Sequence, residues 1–162
     1  MADFGDRLDR AIQRGERIRQ TAEQKAVKAE MSREEAKAAH AAGRLQMTEA
    51  IEECLKSLVD RFPGFEYANV YDSDGWGGRV VRDDLALGGG SGPRNEYSRL
   101  EIVVRPLGDV AILAMAGKAT VRNKELFNRS HYHRLEELDV DSFRETLDLW
   151  VLEYAERYSA SS

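Results

Sequence analysis

The chain has one cysteine, three prolines and no long apolar run, and each scarcity excludes something. With Cys54 alone, no internal disulfide can form. No apolar run approaches the roughly 20 residues that a membrane span requires. The start, Met-Ala-Asp-Phe-Gly-Asp, is charged and lacks the apolar stretch of a secretory signal. A cytoplasmic protein with no membrane association is expected. Proline is absent before Pro63, and glycine there is limited to Gly5, Gly15 and Gly43. Nothing in that stretch therefore breaks a helix strongly.

Pro63-Gly64 divides the sequence into two regions of different character. Residues 1–62 carry 12 acidic and 12 basic side chains, and residues 63–162 carry 17 and 12, so the net charge of −5 lies in the second region. An acidic second region makes nucleic acid a poor partner. The apolar share of 42% suffices for a core and argues against wholesale disorder. An α+β fold is expected. It comprises a helical arm (1–62) and a small antiparallel domain (63–162) with a meander of about five strands and a C-terminal amphipathic helix packed on the sheet.

Along the arm, Phe4, Leu8, Ala11, Gly15, Ile18, Ala22, Lys25 and Ala29 recur in alternating steps of four and three, a heptad-like seam. Small residues and a lysine make it a weak one. Ser32-Arg33-Glu34-Glu35 has the capping-box pattern, which would start a second helix and make a hairpin turning near 31–32. The alternative is one helix of nearly 60 residues, because no Gly or Pro marks the turn. Met47, Ile51, Leu55, Leu58, Val59 and Phe62 form the arm's strongest apolar stripe, suited to packing on the sheet. Arg7, Arg10, Arg14 and Arg17 share a face. Asp3, Asp6, Asp9 and Glu16 interleave with them, and a solvated face is expected rather than an RNA-binding stripe.

In the second region, Phe65–Tyr71 alternates as a strand, and Asp74-Gly75 has the composition of a type I′ hairpin turn. Trp76–Arg82 returns as the second strand. Asp83-Asp84 begins an irregular stretch, and Leu85–Leu87 reads as a short edge strand. The run Gly88-Gly89-Gly90-Ser91-Gly92-Pro93 lacks the following helix and the Lys and Ser/Thr of a phosphate loop. Tyr97–Leu107 and Val110–Val121 are the central strands, the latter apolar enough to be covered on both faces. Glu125–Leu135 is the last strand. Asp139 is the expected N-cap of the closing helix, with Leu138 and Phe143 as a hydrophobic staple.

Chemistry is sparse. His131 and His133 alternate on one strand face and could supply half of a metal site, although Arg129 on that face would repel a cation. Ser130 neighbours His131 in sequence but points to the opposite face, and no Gly-x-Ser-x-Gly elbow exists. Paired acids at Asp72/Asp74 and Asp83/Asp84 fit turns better than acid–base catalysis. Cys54 has no nearby His to lower its pKa and reads as an inert thiol. No cofactor is expected, and the balance leans away from an enzyme.

What remains is association. The closing helix is apolar over more than half its girth, with Leu149, Trp150 and Leu152 widening the stripe of Phe143, Leu147, Val151, Tyr154 and Tyr158. The expected function is a non-enzymatic protein-interaction module, adaptor or chaperone-like, forming a homodimer through its helices and then engaging a protein client. Phe4, Leu8, Ile18, Trp76 and Trp150 are the expected contact residues. The alternative is a small-ligand or metal-binding protein using the sheet face around His131 and His133.

Overall fold

The computed structural model describes residues 3–86 and 94–161, with the side chains of 26–31, 85–86 and 94 left out. The glycine run 88–92, Leu87 and Pro93 lie outside the described residues. The element order is helix α1 (Phe4–Arg61), strands β1 (Glu66–Asp72), β2 (Gly75–Ala86), β3 (Arg94–Val104), β4 (Ile112–Val121) and β5 (Lys124–Arg134), a 3-10 turn (Leu135–Glu137), and helix α2 (Val140–Ala160). It is an α+β fold.

Helix α1 runs unbroken through Ser32, so the expected hairpin near 31–32 is not formed. The physical reason lies in its composition. A capping box redirects a chain only where something stops the preceding helix, and Ala, Glu and Lys around Ser32 favour continuation. Pro63-Gly64 supplies the real stop, with Gly64 at φ +109°.

The chain divides into two compact units, Met1–Ala38 and Ala39–Ser162. The second thus begins inside α1 rather than at residue 63. In the first unit Asp3 caps the helix, its Oδ1 accepting the Asp6 N–H at 2.9 Å. Farther along, Glu34 and Lys37 form an exposed ion pair at 3.6 Å.

The second unit is a two-layer sandwich. Its sheet is an antiparallel meander in the order β1-β2-β3-β4-β5. Val80, Leu100, Ile102, Val104, Leu113, Met115 and Phe127 point to one face of the sheet. Against them lie Met47, Ile51, Leu55 and Leu58 of α1 and Phe143, Leu147, Trp150, Tyr154 and Tyr158 of α2. Both helical sets are spaced by threes and fours, which puts each on one stripe. Among the described residues the opposite sheet face carries a small buried cluster of Val70, Val103 and Ala116. The expectation that β4 is covered on both faces is therefore corrected. Alanines at 114 and 116 read as apolar but have little surface to bury.

Two local expectations also change. Asp83 and Asp84 do not interrupt the sheet, because β2 continues to Ala86 in register with β3. The backbone ladder holds them, and Arg82 neutralises Asp84 at 2.9 Å. The doubly left-handed turn is not at Asp74-Gly75. There the turn residues are Ser73 and Asp74, and Asp72 Oδ1 accepts the Asp74 N–H at 2.8 Å. Gly75 has φ +143° at the start of β2, but the two consecutive residues with left-handed backbone are Arg122 (φ 45°) and Asn123 (φ 70°), between β4 and β5. Asn123 is held there by the Tyr97 backbone, whose N–H it accepts through Oδ1 at 2.8 Å and whose carbonyl takes its own N–H at 2.8 Å. Ser98 Oγ accepts the Arg122 N–H, while the Arg122 guanidinium donates to Glu96 at 2.7 Å and Ser161 at 2.9 Å. These bonds over-determine a backbone conformation that non-glycine residues otherwise avoid.

Candidate interaction surfaces

The first surface belongs to the N-terminal unit. Phe4 is 75% exposed, Leu8 48%, Ile12 52% and Ile18 71%. At helical spacing the four share one side of α1, with Ala11, Gly15 and Ala22 between them, all exposed. Phe4, Leu8 and Ile18 were expected here, whereas Ile12 was missed because it sits one step outside the heptad seam. An exposed stripe of large apolar residues on a helix without a core of its own calls for a partner.

The second surface is a groove of about 310 Å³ beside the start of β2, lined by α1 residues Arg44, Leu45 and Thr48 and by Tyr67, Asn69 and Trp76. Trp76 is half-buried, with the Arg44 guanidinium 4.4 Å above its ring and the Tyr71 ring at 5.8 Å. Its indole N–H is enclosed and finds no acceptor among the described residues. Tyr67 donates to Asn69 Oδ1 at 2.8 Å on the groove wall. The groove places the Arg44 cation beside the Trp76 ring, and its wall also holds Glu49 and Glu52.

Trp150, expected as a contact residue, is 6% exposed. Its ring lies across Gly117, where a Cβ would come within 2.8 Å of it, and against Phe127 at 6.1 Å. The missing side chain at Gly117 makes the seat, so Trp150 offers no free surface. The exposed apolar residues of α2 are instead Leu149 and Leu152. Leu152 lines a shallow groove with Cys54 and Asp148. Burial pushes the Cys54 thiol up to about 11, and its bond to Asp148 Oδ1 at 3.5 Å adds to this. A thiol so raised stays protonated and unreactive at neutral pH.

His131 and His133 do share a face, their rings 5.0 Å apart, and that face is the helix-covered one. Both rings meet Phe143 edge-on, at 4.6 and 4.9 Å. His133 Nδ1 accepts the Asp139 N–H at 3.4 Å. Among the described residues no cluster of three metal-ligating side chains occurs, so a third donor is lacking there. Ser142 Oγ and His131 Nε2 form a long hydrogen bond of 3.4 Å. Burial lowers the pKa of His131, and neighbouring His133 lowers it further.

His40 carried no sequence signal amid alanines, yet it is 5% exposed. Its Nε2–H donates to the Arg105 carbonyl at 3.0 Å, which ties α1 to the loop after β3. Burial is also the main cause of its lowered pKa. No helix among the described residues is long and apolar enough to cross a membrane. Comparison with protein-family models, curated proteins and solved structures finds no match.

Proposed function

We propose that this protein is a non-enzymatic interaction module, adaptor or chaperone-like, that associates through its N-terminal helix, first as a homodimer and then with a protein client. One observation carries the reading: Phe4, Leu8, Ile12 and Ile18 lie exposed along one helix side. A lone helix gains little from propensity, and most helical stability in proteins comes from burying an apolar face. The unpaired, inert Cys54 suits a cytoplasmic setting.

The test is the native mass of the full chain across a dilution series, beside a Leu8→Asp/Ile18→Asp variant. A dimer lost in the variant, with the unfolding transition of the sheet domain unchanged, is expected. A monomer in both, with equal helicity, would refute association through this stripe.

A further inference from the structure

Strand β1 is an edge of the sheet, since the order β1-β2-β3-β4-β5 gives it β2 as its one neighbour. Among the described residues, no hydrogen bond other than those of the ladder with β2 reaches the backbone of Glu66–Asp72. Its outward N–H and C=O groups form a template for one more strand. Proteins commonly guard such an edge with charge, proline or a bulge. Here Tyr67, Ala68, Asn69, Val70 and Tyr71 carry no charge, the strand holds no proline, and its register with β2 is unbroken.

The groove of about 310 Å³ lies along this edge. Alternation puts Tyr67, Asn69 and Tyr71 on the face turned toward α1, and Tyr67 and Asn69 line the groove. Lys56 stands 5.4 Å from the centre of the Tyr67 ring. Arg44 lies 4.4 Å from that of Trp76, which pairs in register with Tyr71. Helix α1 therefore runs beside β1 from its Tyr71 end to its Tyr67 end, and the groove opens between them. A strand added to β1 would send every second side chain into that gap, as in peptide recognition by strand addition.

The two faces of such a strand would meet different chemistry. In the groove Glu52 is neutralised by Lys56 at 2.6 Å, and Arg44 balances Glu49. Exposed Leu45 and the Trp76 ring are its apolar parts. On the face away from α1 the charges of β1 are both acidic, Glu66 and Asp72, and Asp74 follows in the turn. Arg79 shares that face beside Ala68, but it stands one strand farther in. A second copy of β1 is a poor occupant. Antiparallel pairing about Asn69 would set Glu66 of each chain against Asp72 of the other, and like charges so placed are destabilising.

We infer that the β1 edge and its groove take an extended segment of another protein, apolar toward the groove and basic on the opposite face. The unpaired backbone is complementary to another extended backbone, and Glu66 and Asp72 select basic side chains on its outer face. This rests on the reading of a protein client and is independent of self-association, because the site lies wholly within the second unit.

The experiment measures fluorescence anisotropy of a labelled peptide of alternating lysine and valine, about as long as β1, against the full chain. Binding is expected, and the glutamate–valine counterpart is expected to stay free. Leu45→Lys and Glu66→Lys/Asp74→Lys change exposed positions and are each expected to weaken binding by about fivefold or more at low salt. Alternate N-methylation tests the backbone. Of the two possible patterns, the one that blocks the N–H groups facing β1 is expected to abolish binding, and the other to preserve it. Absence of binding, equal binding of both methylated peptides, or indifference to Leu45→Lys would overturn the inference. The same titration with Leu8→Asp/Ile18→Asp separates the two readings. Binding unchanged in a variant that no longer dimerises supports this site, whereas binding lost there would move the client to the N-terminal helix and overturn it.

Discussion

Ile18 and Ile51 are the same residue on the same helix, yet one is 71% exposed and the other 0%. Both sit on apolar stripes of helical spacing. The difference lies in what faces them. Ile51 meets a sheet and a second helix within its own unit, where full burial of an aliphatic side chain contributes about 1.5–3 kcal/mol. Among the described residues of its unit, Ile18 has no hydrophobic core cluster to enter. Amphipathic spacing therefore marks a surface to be covered, and only the neighbours determine whether the chain covers it itself.

The sharpest challenge to this comparison is truncation at both positions. Ile51→Ala is expected to cost about 2–5 kcal/mol of unfolding free energy in urea denaturation. Ile18→Ala is expected to shift the monomer's stability by no more than about 0.5 kcal/mol. Equal losses at high dilution would mean that Ile18 is covered within one chain.

Glycines give an opposed pair of signs. Gly117→Ala pushes a Cβ to within 2.8 Å of the Trp150 ring and is expected to cost about 1–3 kcal/mol by overpacking. At Gly15 nothing lies within 4 Å of an added Cβ. Gly15→Ala is expected to raise monomer helicity, with a gain of about 0.5–1 kcal/mol, read by circular dichroism at high dilution. Loss of helicity there would show that the backbone needs glycine even without a partner.

The histidines extend the comparison to pH. His40 and His131 belong to the second unit, and both have folded pKa values below the ordinary 6.5. The unfolded chain then takes up protons first as pH falls. The stability tied to their neutral forms is present above pH 6.5 and is lost as pH drops through 6.5 toward the lowered folded values. Urea midpoints of the sheet domain are expected to fall between pH 7.5 and 5.5, and His40→Gln is expected to flatten the slope. A flat profile in the unsubstituted protein would remove both groups from the account.

The smallest effect concerns the groove. Arg44→Ala removes the cation above Trp76 and is expected to cost about 0.5–1 kcal/mol while changing indole fluorescence. Trp150, seated in the core, serves as the unchanged reference emitter. If the spectrum did not move, Arg44 would not rest on Trp76 in solution.

Much of the second unit was legible beforehand. The five-strand meander, the Asp139 cap and the stripe ending in Tyr158 follow from alternation, helical spacing and capping chemistry. Asp139 accepts the N–H groups of Asp141 and Ser142 as its type and place imply. The misreadings came where one local signal stood for a nonlocal outcome. Asp74-Gly75 has the residues for a type I′ turn, but Arg122-Asn123 was forced into left-handed backbone by bonds to β3. Trp150 looked available because its helix is wide in apolar residues, and only Gly117, far along the chain, accounts for its burial. His40 was silent because its acceptor is a backbone carbonyl, which leaves no mark in sequence.

By itself the sequence determined what is local: a helix with no internal stop before Pro63, strands with period-two alternation, and a single cysteine. The tertiary structure alone decided which apolar residues are buried, where the compact unit begins within α1, and which turn carries strain. Spacing sets the direction in which a side chain points. Burial depends on what stands opposite, often a hundred residues away, and that is a property of packing.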